Sequence, residues 1–260
     1  MKIVASVLLL LLFVSGNSIA GNITIYDRES DGSASGWYGK QEDNEVELGN
    51  VTGQTWDLEG ASLNGKTLTL VGGWDFKNGV QDPYRAGTTF HYDSGDIFFD
   101  INGDAKYGDM LSQNSGTTGI QTINNSFGYD YVLDVDWLGN TFNIVQINKD
   151  SLVQTTYFGE NNRANPWQYA SGGTVVGSGT WVYTSGLTDS LTGFLGGTHY
   201  SAAFDLSTFF SGDPSFLMHF TMECGNDNLI AAVPEPATII ISLSTLFGSV
   251  GYLRRKRIIG

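Results

Sequence analysis

A single cysteine, Cys224, is all the thiol this 260-residue chain holds, so no intramolecular disulfide can staple it. A domain of this length buries enough surface to fold without staples. Cys224 reads most simply as a buried or turn residue, with an intermolecular disulfide or an attachment point as the alternative. Positive charge is nearly as scarce. Of 13 basic residues, Lys2, Arg254, Arg255, Lys256 and Arg257 lie at the two ends, leaving 8 between Gly21 and Ala232. Those 8 stand against 26 of the chain's 27 acidic residues, a net charge of −18 for that span. Such a surface repels nucleic acid phosphates and anionic lipid headgroups. Divalent cations and neutral polymers suit it better, and acidity also keeps a domain soluble.

Signatures of catalysis are thin. His91, His199 and His219 are scattered, without the His-x-His or His-Glu-x-x-His spacing that points to zinc. His219 and Cys224 project from opposite faces of a strand and make no nucleophile pair. No Gly-x-Ser-x-Gly elbow is present. Carboxylates are plentiful, as in any acidic domain, so a paired-carboxylate glycosidase stays open as an alternative to a non-enzymatic role.

Helical periodicity is also missing over any stretch of about 12 residues or more. Glycine is abundant at 34 residues, aromatics reach 13% and charge only 15%, a composition with ample groups to bury. Strand-like runs recur between clusters of Gly, Asn, Asp and Ser. In Lys66–Val71, Thr67, Thr69 and Val71 share one face, with Leu68 and Leu70 on the other. Further runs are Gly95–Phe99, Leu152–Phe158, Thr174–Tyr183, His199–Leu206 and Phe216–Met222. In Tyr131–Trp137, the residues Tyr131, Leu133, Val135 and Trp137 alternate with Val132, Asp134 and Asp136. Gly139-Asn140 then turns the chain into Thr141–Ile147, so 131–147 is the clearest hairpin. The pattern predicts one all-β domain over 21–232, an antiparallel β-sandwich of the lectin-like or jelly-roll kind.

Within that domain, Asp100-Ile101-Asn102-Gly103-Asp104 is the first candidate site. Side-chain oxygens at alternate positions of a glycine-containing loop are how Ca²⁺ is wrapped, which makes calcium the candidate cofactor. Asp96 lies upstream and Asp109 downstream. The EF-hand pattern is incomplete, since Ala105 stands where a glycine is needed and Leu111 where a Glu is needed. A turn between strands favours the same residues on conformational grounds alone. Tyr129-Asp130-Tyr131, with Asp134 and Asp136, supplies further ligands or a carbohydrate contact, or merely a solvated face. Of the tryptophans Trp37, Trp56, Trp74, Trp137, Trp167 and Trp181, the polar surroundings of Trp37 and Trp167 mark these two for stacking on sugar rings. The others read as core.

The ends carry a different message. Residues 1–20 have a positive n-region (Lys2), an apolar run from Ile3 to Val14, and small residues before a cut between Ala20 and Gly21. They read as a secretory signal helix, with an uncleaved anchor as the alternative. At the other end, Val233-Pro234-Glu235-Pro236 precedes an apolar segment, 237–253, and the basic cluster Arg254, Arg255, Lys256 and Arg257. The prolines hold the chain extended, as a protease requires. The apolar segment, if helical, spans roughly 25 Å and approaches a ~30 Å membrane core once arginines snorkel. The basic cluster stays cytoplasmic, so the domain lies outside, as the signal peptide also demands.

This tripartite tail, 233–260, closely resembles the PEP-CTERM sorting signal of Gram-negative bacteria that make extracellular polysaccharide. Met222-Glu223-Cys224-Gly225-Asn226-Asp227 also looks like a segment preceding the tail in a subset of those proteins. The resemblance implies recognition by exosortase, a membrane-embedded protease, and cleavage near Pro234-Glu235-Pro236. It implies residence in the inner membrane before processing, and at the cell surface, outer membrane or extracellular matrix afterwards. Extracellular polysaccharide is then the expected partner and nucleic acid is not. A sortase signal would need Leu-Pro-x-Thr-Gly, and a GPI signal would end on its apolar run. A plain single-pass anchor is the remaining rival.

Overall fold

The computed structural model describes residues 51, 53–82, 90–106, 118–209 and 215–233. The signal helix, the apolar segment 237–253 and the basic cluster therefore lie outside the described residues. Within them the strands are β1 (Gly60–Asn64), β2 (Thr67–Gly72), β3 (Val80–Gln81), β4 (His91–Tyr92), β5 (Ile97–Asp100), β6 (Thr122–Asn124) and β7 (Tyr131–Asp136). They continue with β8 (Thr141–Gln146), β9 (Leu152–Gln154), β10 (Gln168–Ser171), β11 (Thr174–Leu187), β12 (His199–Asp205), β13 (Phe216–Thr221) and β14 (Asn228–Val233). Among the described residues helix is confined to single turns, of which α1 (Asp189–Thr192) is one. The antiparallel all-β expectation holds.

Nine strands form one sheet in the order β1-β2-β12-β11-β8-β7-β5-β13-β14, every neighbouring pair antiparallel. The long strand β11 makes the fold possible. Its residues Thr174–Thr180 pair with β8, whereas Trp181–Leu187 pair with β12, and each half contains a register shift. Such irregularities bend a strand and let it pass from one layer to the next. The two layers of the expected sandwich thus belong to one sheet that nearly closes, its edge strands β1 and β14 coming into contact. Side chains from both wings share one core: Leu63, Leu68, Leu70 and Phe204 from one, Ile97, Phe99, Val135, Ile144 and Phe220 from the other. Phe142 crosses β11 to reach Phe204, with ring centroids 5.7 Å apart. Glycine is required at Gly179, where a Cβ would come 2.6 Å from Phe142 Cζ.

A second core lies on the outer side of β5, β7 and β8. There Phe98, Val132 and Val145 pack against Val153 of the small sheet β10-β9-β6. Two-sided burial explains why β7 is apolar at Val132 as well as at Leu133 and Val135. The predicted hairpin is present as β7 and β8, joined through Asn140 at φ 58. The β2 alternation is also seen, with Leu68 and Leu70 inside.

Candidate functional site

Asp100, Asn102 and Asp104 come together in the turn leaving β5, and Asp130 joins them from the residue before β7. Asp100 Oδ1 accepts from the amides of Asn102 (3.0 Å) and Gly103 (2.7 Å), and Oδ2 from that of Ala105 (3.0 Å). Asp130 accepts from the Ile101 amide and from Asn102 Nδ2, both at 2.9 Å. Asn102 Oδ1 in turn accepts the Asp104 amide at 2.9 Å. The loop's acceptors are therefore committed to its own N–H groups, as in a turn built by Asx side chains. Burial raises the pKa of Asp130, and the charges of Asp100 and Asp104 push the same way against the bonds from Ile101 and Asn102.

Asp96, expected as an upstream ligand, does not join them. It is buried, and its two oxygens accept from the amides of Val135 (2.9 Å) and Tyr169 (2.8 Å). It thereby ties β10 to β7. Desolvation lifts its pKa to about 8, against those two hydrogen bonds. Among the described residues, no group of three His, Cys, Asp or Glu side chains is placed to hold a metal ion. Asp109 lies outside the described residues. On β7, Asp136 is exposed and caps the following turn through the Gly139 amide (2.7 Å), while Asp134 is half-buried.

Trp167 is also corrected. It is only 6% exposed, and its backbone is held at both ends, its amide donating to Gln154 O and its carbonyl accepting from Asp96, each at 2.9 Å. Its ring packs against Gly95, where a Cβ would meet Cδ1 at 2.7 Å. Its polar neighbour Asn165 is itself buried, donating no hydrophilic surface but accepting the Thr156 amide at 2.7 Å. Trp56, Trp74, Trp137 and Trp181 are core, as expected. Trp37, Ala20, Gly21, Pro234, Glu235, Pro236 and the cluster Arg254, Arg255, Lys256 and Arg257 lie outside the described residues. Val233 is the final residue of β14, paired with Phe216.

The most organised ionisable group was not visible in the sequence. His199, the first residue of β12, is fully buried between two carboxylates. Its Nδ1 lies 2.7 Å from Glu59 Oε2 and its Nε2 3.0 Å from Asp189 Oδ1. Gln54 Nε2 donates to Glu59 Oε1 at 2.7 Å, and the Gly197 amide donates to Asp189 Oδ1 at 2.9 Å. Desolvation is the largest influence on His199 and opposes its charge, but hydrogen bonds and charges of Asp189 and Glu59 together outweigh it and raise the pKa. The bond to His199 lowers the pKa of Asp189, helped by the Gly197 amide. Burial raises that of Glu59. We take the ring as charged, because two acceptor-only oxygens face its two nitrogens.

The segment 222–227 is a structural hub. Asp227 Oδ2 accepts the Leu58 amide at 2.7 Å, Asn161 Nδ2 donates to Cys224 O at 2.8 Å, and the Tyr157 amide donates to Glu223 O at 2.7 Å. Burial raises the Glu223 pKa to about 7. Cys224 is 2% exposed, and burial pushes its thiol pKa far up, so the reading as a buried residue fits and a reactive attachment point does not. Beside this hub, His219 Nε2 lies 3.1 Å from both Ala164 O and Pro166 O, so Nε2 carries a hydrogen and donates. Its ring stacks on Tyr129 at 5.7 Å. Compared with models of known protein families, with curated proteins and with solved structures, the chain matches none of them.

Proposed function

We propose that this is an exported surface or extracellular-matrix protein, processed by exosortase at its C-terminal sorting signal and structural or adhesive in a polysaccharide matrix. One observation carries the reading: Pro234-Glu235-Pro236, the apolar segment 237–253 and Arg254–Arg257 follow in that order directly after β14, the last strand among the described residues. Among the described residues β14 runs to Val233, so a cut at the Pro-Glu-Pro removes no described strand. The sorting step then releases the β-domain that carries both cores. The role is non-enzymatic and the two-layer antiparallel architecture belongs with lectin-like or jelly-roll sandwiches in this reading. The acidic, phosphate-repelling surface fits a polysaccharide partner better than nucleic acid.

The test is the intact mass of the mature protein recovered from its native host. The expected species begins at Gly21 and ends within Val233–Pro236, and added mass would mark covalent attachment. A species retaining Arg254–Arg257 would make the tail an ordinary anchor and sink the proposal.

A further inference from the structure

Residues 188–198 connect β11 to β12 as a strap. Gly193, Gly196 and Gly197 take φ of 85°, 123° and 109°, so the strap bends where other residues strain. Its apolar contact is Phe194, 4% exposed and seated over Gly60, where a Cβ would come 2.6 Å from the ring. The neighbouring leucines point outward, Leu191 being 72% exposed and Leu195 46%. Its charged fastening is Asp189, which reaches His199 Nε2 at 3.0 Å from the first turn of α1, while Gln54 Nε2 donates to the Thr198 carbonyl at its far end, at 3.4 Å.

The two sides of the ring are unequal. Glu59 is buried and meets Nδ1 at 2.7 Å, whereas the Asp189 side chain is 43% exposed and meets Nε2 at 3.0 Å. A neutral imidazole keeps one N–H. The shorter, buried contact retains it, and the bare Nε2 lone pair is left facing a carboxylate oxygen. The exposed partner is the one free to move. Around the ring, Glu59 and Asp189 are the charged groups acting on it among the described residues, Gln54 adds an amide, and β11 brings Leu187 opposite.

We infer that residues 188–198 form a proton-dependent strap: with His199 doubly protonated it is fastened across Gly60, and loss of the Nε2 proton frees Asp189 and lets the strap lift, drawing Phe194 off Gly60. The device is a reversible, alkaline-triggered exposure of Phe194 beside two leucines that already face outward. The signs agree with the shifts at the site. The pKa of His199 is raised, so its contribution is complete below 6.5 and lost as pH climbs through the folded value. That of Asp189 is lowered, so its contribution is present above 3.8 and lost as pH falls through the folded value. Burial raises the pKa of Glu59, so its contribution, like that of His199 and unlike that of Asp189, is present at low pH and lost as pH rises.

A nitroxide placed by Leu191→Cys in the full-length, detergent-solubilised protein reads the strap directly, because Cys224 is only 2% exposed and escapes labelling. The expected spectrum is immobile at mildly acidic pH and becomes mobile as pH rises, following one proton with a midpoint above 6.5. Adding Asp189→Asn, on the surface, keeps an acceptor but removes the charge. It should lower that midpoint, and the His199 ring-proton NMR titration with it, by about one unit. A label whose mobility ignores pH would overturn the inference. So would an Asp189→Asn protein whose midpoint stays where it was, which would show His199 to be a static core group.

Discussion

Asn226 holds Val51 by both of its backbone groups, accepting the Val51 amide on Oδ1 at 2.9 Å and donating from Nδ2 to the Val51 carbonyl at 2.8 Å. The side chain imitates one rung of an antiparallel ladder. It does so at the seam where β1 and β14 approach without pairing, next to the Asp227 bond to the Leu58 amide. Asn226→Ala should therefore cost about 2 kcal/mol, the penalty of leaving such groups unmet. Asn226→Asp should cost more, because it replaces the donor with a second acceptor facing a carbonyl. Urea unfolding measures both, and an unchanged midpoint for Asn226→Ala would show that the seam is held by packing alone.

The stability of the domain should fall in acid partly through His219. Desolvation depresses its pKa from 6.5 to about 4 against the bonds to Ala164 and Pro166. A depressed histidine stabilises fully above 6.5 and loses that contribution as pH falls toward the folded value. The loss is about 3 kcal/mol over that interval. His219→Phe preserves the stacking on Tyr129 and cannot titrate. Its unfolding free energy should be lower at neutral pH but flatter between pH 6.5 and 4, and a profile parallel to wild type would rule His219 out.

Asp96 should act in the opposite sense. Its pKa is raised from 3.8 to about 8, so its contribution to stability is complete at low pH and declines as pH rises through the folded value. Asp96→Asn still accepts one amide but turns an N–H toward the other, so it should be less stable than wild type at low pH. Its profile above pH 4 should nevertheless be flatter. Equal slopes in the two proteins would mean that Asp96 ionises freely and that the decline comes from elsewhere.

The turn at Asp100 should be indifferent to calcium, because its carboxylates already serve three amides. Millimolar Ca²⁺ or a chelator should leave Tm unchanged. Asp100→Ala should lower stability by about 1 kcal/mol, the cost of losing the turn's part-buried hydrogen bonds. A calcium-dependent rise in Tm that disappears in Asp100→Ala would restore the cation site expected from the spacing of Asp100, Asn102 and Asp104.

What could be read in advance follows the reach of each signal along the chain. Leu68 and Leu70, or Leu133 and Val135, alternate with polar neighbours because a strand turns successive side chains to opposite faces. Gly139-Asn140 marks its turn because Asn tolerates the positive φ found there. Strands β2, β7, β8 and β12 were legible for that reason, and β5 and β13 as short apolar runs. Short strands such as β3 and β6, at two and three residues, carry too few alternations to register. β14 was hidden because Asn228 through Ile230 are buried without interruption, so no period shows.

Sites depended on a different kind of distance. By itself the sequence determined the all-β class, the 131–147 hairpin and the acidic turn at Asp100, since each is settled by neighbours a few residues apart. Only the tertiary structure decided that Trp167 and Asp96 are buried, that Asn226 clasps Val51 from 175 positions away, and that Glu59 meets His199 across 140. The physical reason is the path of the sheet. β11 bends one layer over the other, and the closing of that sheet, rather than any local preference, brings distant polar groups into one desolvated place.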